Sequence, residues 1–281
     1  MPTSSTDNAS SADNQQATNE FSKFYYTGFC VGELSCSIIR ATHKKGKGFY
    51  FTPDLTVSNA DRFLLEEVNR VIASEQGIIS PIKGGYNLKF RGRRKVEFVL
   101  NFFRDYPVLA GDIAIKKLEF LGKVLPSIGK YSKVQDKIEV IEKCRKGLKN
   151  LKLYGFEIEG SVNRHNSDAT GFFLSGIMDA EGSCGLKKSG LYQQPFFAVA
   201  MKDRKIIELA KSFLGCGYIH KRSDDGLFHW EVGSKKEVLR VAKIFMNQYP
   251  SRLSKMRERL EKLIRSLNDY TLSSEVNSEI I

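Results

Sequence analysis

The feature that most constrains this chain is an internal echo. The segment "GFCVGELSCSI" (residues 28–38) returns as "GIMDAEGSCGL" (176–186), with Gly28/Gly176, Glu33/Glu181, Ser35/Ser183 and Cys36/Cys184 aligned at a constant offset of 148 positions. The likeness runs on past both segments. The first copy is followed by a strand-like run, "GFYFTPDLTVSN" (48–59), and a helical pattern, "ADRFLLEEVNRVIA" (60–73). The second is followed by "QPFFAVAMKD" (194–203) and "RKIIELAKSFLG" (204–215). Gly-bounded strand pairs come next, "GIISPIK" with "YNLKFRGR" and "GYIHKRS" with "LFHWEVGS". Each pair leads into an amphipathic helix ending in Tyr-Pro (96–107 and 237–250), then a last helix (112–125 and 252–267). A unit of this length present only twice is not a solenoid. It implies a pseudo-two-fold molecule, a homodimer's geometry fused into one chain.

The repeat divides the chain. Residues 1–20, rich in Ser, Asn, Thr and Gln, cannot bury enough apolar surface to fold and are expected to be a disordered tail. Residues 21–129 form the first module and 171–270 the second. Between them, 130–170 holds a basic amphipathic helix, "KYSKVQDKIEVIEKCRKGLKN", and a polar linker, and 271–281 is a C-terminal tail. The fold class is α+β.

Charge narrows the partner. Of 44 Lys+Arg and 32 Asp+Glu, five acids and no base lie in the first twenty and last eleven residues, leaving +17 on residues 21–270. A body that basic suits a polyanion, most simply nucleic acid, although a solvated basic surface gives the same count. Five cysteines without a CxxC pair argue against a disulfide framework or zinc site and fit a reducing, intracellular compartment. The four histidines are scattered, and His165 in "NRHN" is a lone side chain in a polar loop. No run approaches the roughly 18 apolar residues of a membrane span, so a soluble protein is expected. The N-terminal residues lack the Lys and Arg of a mitochondrial presequence. That suits synthesis within a mitochondrion or other organelle, or in a prokaryotic cytoplasm.

As helices, the repeated segments place Gly28 with Gly32, and Gly176 with Ala180, four residues apart on one face. Small residues at that spacing let two helix backbones approach closely. The remaining residues are bulky and apolar, as in a buried helix. The two helices are therefore expected to pack on each other along the pseudo-two-fold axis. Glu33 and Glu181 then close them side by side, where helix-terminal carbonyls and mutual repulsion both disfavour a carboxylate. A divalent cation with hard oxygen ligands resolves that conflict, and paired metal–carboxylate sites suit in-line phosphodiester hydrolysis.

"GFCVGELS" and "LSGIMDAEGS" resemble the two signature motifs of the LAGLIDADG homing endonucleases, of the double-motif, single-chain, intron-encoded type. "FLGCGYI" (213–219) and the two Tyr-Pro helix ends are similar to that family as well. The second motif keeps Leu174, Gly176, Ile177, Asp179, Ala180, Glu181 and Gly182. In the first, Val31 replaces the earlier acid and Leu34 the closing glycine, while Glu33 is retained. The resemblance implies two αββαββα modules whose curved antiparallel sheets form a saddle over duplex DNA. It further implies a monomer that cuts both strands across the minor groove of a long asymmetric site.

By the same resemblance, Mg²⁺ is the cofactor, with Mn²⁺ or Ca²⁺ able to replace it for binding. Glu33 and Glu181, with Gly32 and Ala180 beside them, form the metal set. Arg93 and Lys235, placed at equivalent strand ends, stabilise charge on the transferring phosphate. DNA contacts fall to Arg40, Lys44, Lys45, Lys47, Lys83, Lys89 and Arg91 in the first module. In the second they fall to Lys187, Lys188, Tyr192, Gln193, Gln194, Lys221 and Arg222. Strand alternation aims only every second one at the duplex. Two other readings use the same basic surface: an intron-RNA-binding maturase, and a catalytically silent DNA-binding relative.

Overall fold

The computed structural model describes residues 20–42, 48–128, 135–150, 166–190 and 192–278. The first half runs α1 (Phe24–Glu33), β1 (Leu34–Thr42), β2 (Phe49–Asn59), α2 (Arg62–Ala73), β3 (Ile78–Ile82), β4 (Gly85–Arg91), α3 (Arg93–Asp105) and α4 (Asp112–Val124). After α5 (Gln135–Asn150) the order repeats: α6 (Ser167–Glu181), β5 (Gly182–Ser189), β6 (Tyr192–Met201), α7 (Arg204–Leu214), β7 (Tyr218–Lys221), β8 (Phe228–Val232), α8 (Lys235–Lys243) and α9 (Ser254–Ser278). The expected tail 1–20 and most of the linker lie outside the described residues.

Local chemistry sets the helix starts. Asn166 accepts from the N–H groups of Asp168 and Ala169 to open α6, and Asp61 accepts from Leu64 N to open α2. At the start of α8, Ser234 Oγ accepts from Glu237 N at 3.3 Å and donates to the Glu237 carboxylate at 2.8 Å. Gly215, at φ 64°, ends α7 in the left-handed conformation that costs glycine nothing.

Two four-stranded antiparallel sheets, β1-β2-β4-β3 and β5-β6-β8-β7, repeat one topology. Their registers match too, with Cys36 opposite Leu55 in one and Cys184 opposite Phe197 in the other. All four of these side chains are buried, so one sheet face meets the helices and the other is free of them. Cys36 and Cys184 are core side chains, as their small apolar character suggests.

Three boundaries differ from the sequence expectation. The second Tyr-Pro helix is α-helical only to Lys243, and Ile244–Gln248 widens into a π turn closed by Tyr249 N to Ile244 O at 2.9 Å. Helix α9 continues to Ser278, so the boundary drawn at residue 270 falls within a helix. Arg93 and Lys235 open helices α3 and α8 instead of ending strands, because Gly92 and Ser234 already serve as their caps. Among the described residues, no helix is long and apolar enough to cross a membrane.

Candidate functional site

Helices α1 and α6 meet backbone to backbone. A Cβ at Gly28 would stand 1.9 Å from the carbonyl oxygen of Phe173, and one at Gly176 would stand 2.0 Å from that of Tyr25. The contact is reciprocal, each glycine meeting the residue three places before the other. One turn on, a Cβ at Gly32 would lie 2.5 Å from that of Ala180. No side chain fits at either central glycine without separating the helices.

This approach brings the closing acids together. The Cβ position of Gly32 lies 3.1 Å from Cγ of Glu181, so the second acid leans across the end of the first helix. Burial raises the Glu33 pKa to about 7, with the Glu181 charge adding to the shift. A 2.9 Å hydrogen bond donated by Asn59 Nδ2 to Glu33 Oε1 opposes it. Burial also raises the pKa of Glu181. Two partly desolvated carboxylates at helix C-termini are held where they repel each other.

Carboxylate and backbone oxygens are the ligands a hard divalent ion takes. Among the described residues, no three His, Cys, Asp or Glu side chains cluster as metal ligands, so the two glutamates would need backbone oxygens and water to complete a coordination shell.

The second motif contains a further acid whose structural role the sequence did not reveal. Asp179, 4% exposed, accepts from Tyr25 Oη at 2.6 Å, Arg252 N at 2.8 Å, Leu253 N at 2.9 Å and Ser251 Oγ. It thus ties α6 to α1 and holds the start of α9. Arg252 also reaches Tyr26 and, at 2.6 Å, Glu67. Across the axis, Asp61 accepts from Ser254 N and Oγ at 3.3 and 2.9 Å, and Asp203 accepts from Ile113 N at 3.0 Å. The aspartate at the N-cap position of each module's second helix therefore steadies the last helix of the other module. A sequence signal existed in the equivalence of Asp61 and Asp203, but only three-dimensional placement reveals their partners.

Strand alternation sorts the expected DNA contacts. Lys89, Arg91, Lys187 and Gln194 stand on the helix-free sheet faces, opposite in alternation to Leu88, Phe90, Phe197 and their buried neighbours. Arg91 bonds Asp54 at 2.8 Å and Lys187 pairs with Glu231, so an internal carboxylate holds each cation on that face. Arg40 has the other parity. It pairs with Glu142 of α5 at 3.3 Å and covers the Phe49 ring, which places it on the helix side. Lys188, Gln193 and Lys221 share that opposite parity at exposed strand ends. Lys83 lies in the β3–β4 turn, and Arg222 is engaged by Asp224 and Asp225. Lys44, Lys45, Lys47 and the Tyr192 side chain lie outside what is described.

The histidines are not all scattered. His220 and His229 face each other across β7 and β8 with ring nitrogens 3.3 Å apart, on the helix-free face. Burial, then the neighbouring His220, lowers the His229 pKa.

Residues 174–258 match the profile of the family described as LAGLIDADG endonuclease. The whole fold is similar to that of I-SmaMI bound to an uncleaved DNA target in the presence of calcium ions, with a TM-score of 0.72 and 22% identity. That match covers 92% of this chain and 96% of the other. It is also similar to the LAGLIDADG homing endonuclease I-GzeII in complex with its DNA target, with a TM-score of 0.71, 16% identity and coverage of 90% and 91%. Among curated protein sequences, none matches the chain. The family resemblance is thus borne out by sequence over residues 174–258, and the expected two-module fold by the structural matches over both halves.

Proposed function

We propose that this protein is a site-specific endonuclease that cuts both strands of duplex DNA at a long asymmetric target, acting as a monomer. The observation that carries this reading is the pair of carboxylates, Glu33 and Glu181, closing two helices that touch through their backbones on the pseudo-two-fold axis. Two reactive centres related by such an axis match the near-two-fold relation of the strands in a duplex. The solved structures of similar fold hold DNA targets, one of them uncleaved and another cleaved.

Glu33 and Glu181, with the backbone of Gly32 and Ala180, would hold the divalent ion. Bound Mg²⁺ would supply an activated water and neutralise charge on the leaving oxygen. Burial makes both carboxylates reluctant to ionise, and Asn59 orients Glu33 by donating to Oε1. Arg93 and Lys235, which open helices at equivalent places, would meet negative charge on the transferring phosphate. The helix-free faces of the two sheets, with Lys89, Arg91, Lys187 and Gln194, would follow the major grooves on either side of the cut.

Val31 in the first motif does not weigh against activity. Its counterpart Asp179 is occupied in hydrogen bonds that hold helices, so the substitution removes a structural acid and leaves the paired glutamates intact.

The test is digestion of a high-complexity duplex library with Mg²⁺, sequencing the new ends, beside Glu33→Gln. Recurrent ends at one long motif with short 3′ overhangs, absent from the variant, are the expected result. Absence of recurrent ends, with one motif still enriched by binding in Ca²⁺, would identify a silent DNA-binding relative. Tight binding to structured intron RNA that survives loss of both glutamates would instead identify a maturase.

A further inference from the structure

The edge strand of the first sheet carries two isoleucines in an unusual place. Ile78 is 63% exposed and Ile82 46% exposed. Ile79 packs against the core and pairs with the fully buried Leu88. Alternation therefore sends Ile78 and Ile82 to the helix-free face, where Ile78 stands opposite Lys89 and Ser80 opposite Asn87. A long exposed apolar edge strand is a liability that proteins blunt with proline and charge, and here Pro81 and Lys83 flank Ile82. The isoleucines remain uncovered all the same, amid cations.

Their surroundings select the occupant. Lys89 and Arg91 on the same face favour a polyanion over an apolar protein surface. Asn87 is oriented by Ser58, whose hydroxyl donates to Oδ1 at 2.7 Å. An asparagine amide can pair with the adenine edge, and the only apolar group in the major groove is the C5-methyl of thymine. Cation, asparagine and isoleucine on one face together describe a surface for A·T pairs.

We propose that Ile78 and Ile82 are specificity-determining residues that seat on thymine methyl groups in the half-site read by the first module. The proposal rests on the reading that this face lies in the major groove of target DNA. Four residues of strand span about 13 Å, which equals about four base-pair steps of 3.4 Å. The two methyl groups therefore sit about four steps apart, with Ser80 and Asn87 over the pairs between. The second sheet places Tyr218 and His220 at the equivalent strand, so no matching thymine preference arises in the other half-site.

Replacing thymine by deoxyuridine removes the methyl group and nothing else. The recurrent target is first found by library cleavage in Mg²⁺ or by enrichment in Ca²⁺. Binding in Ca²⁺ is then measured on duplexes with deoxyuridine at single first-half positions, for the unaltered protein and for Ile78→Ser and Ile82→Ser. We expect two positions about four steps apart where loss of the methyl weakens binding about threefold to fivefold, each sensitivity vanishing in one serine variant. Thermal unfolding of the variants verifies that they remain folded. A recurrent target whose first half lacks such thymines, or whose deoxyuridine duplexes bind unchanged, overturns the proposal and leaves the endonuclease reading standing. Absence of any recurrent or enriched duplex overturns both.

Discussion

Helices α1 and α6 share a central glycine and a closing glutamate, yet two positions before those glutamates one has Val31 and the other Asp179. Asp179 gathers two backbone N–H groups and two hydroxyls from α1 and the α9 start into one buried knot. Val31 instead packs near Gly111, beside Ile206. The start of α4 there relies on Asp203 across the axis, and Asp112 takes a 3.1 Å bond from Lys205. Both last helices thus start on an aspartate from the other module, but one has a buried acid beside it and the other an apolar contact. The chemistry of the motif and its scaffolding are separable: the glutamate is kept in both copies, while the buried acid occurs only where Tyr25 and Ser251 offer it hydroxyls, places held by Phe173 and Val108 in the other half.

The largest effect should come from testing where the copies agree. Glu33→Gln and Glu181→Gln are each expected to reduce double-strand cleavage by a thousandfold or more, measured on the recurrent target. A variant that retains full activity would break the equivalence of the two ends.

The position where they differ comes next. Asp179→Ala leaves buried donors unpaired and should cost about 3–5 kcal/mol in denaturant unfolding. Val31→Ala should cost about 1 kcal/mol. Val31→Asp should destabilise instead of repairing the motif, because the two hydroxyls that serve Asp179, from Tyr25 and Ser251, are replaced there by Phe173 and Val108. A stabilised Val31→Asp protein would overturn this account. The shared glycines follow: Gly28→Ala and Gly176→Ala should each cost about 3 kcal/mol by prying the helices apart.

Titration sharpens the contrast at the acids. The folded pKa of Glu33, about 7, lies above its ordinary 4.5, so the folded chain retains a proton that the unfolded chain has released. Metal-free stability should fall as pH rises from about 4.5 through 7, at up to about 1.4 kcal/mol per pH unit. Glu33→Gln should flatten that slope, and metal affinity should rise over the same window as the carboxylate ionises. The smallest difference involves two hydroxyls at equivalent places. Thr27 Oγ1 donates to the Tyr106 carbonyl at 2.9 Å, whereas Ser175 Oγ, fully buried, has no partner among the described residues. Thr27→Ala should cost about 1 kcal/mol and Ser175→Ala almost nothing.

Much of this was legible in the residues because the repeat is a signal that needs no partner. Element order, the small-residue face and the paired glutamates all follow from local spacing read twice. Asp179, Asp61 and Asp203 were legible as motif or cap positions, but the partners that join them to other elements lie 72 to 193 positions away along the chain. Arg40 read as one more strand cation, since only packing reveals Glu142 beside it. His220 and His229 looked scattered because the pairing of β7 with β8 is a tertiary fact.

The reciprocal glycine contact has a mechanical consequence. Where two peptide backbones touch with no side chain between them, there is nothing compressible to let one slide along the other. The pair acts as an axle, about which the modules could turn slightly but not translate. Under the proposed reading, a duplex seated across this axis would meet ends that do not slide apart, and its own stiffness would become part of what is selected.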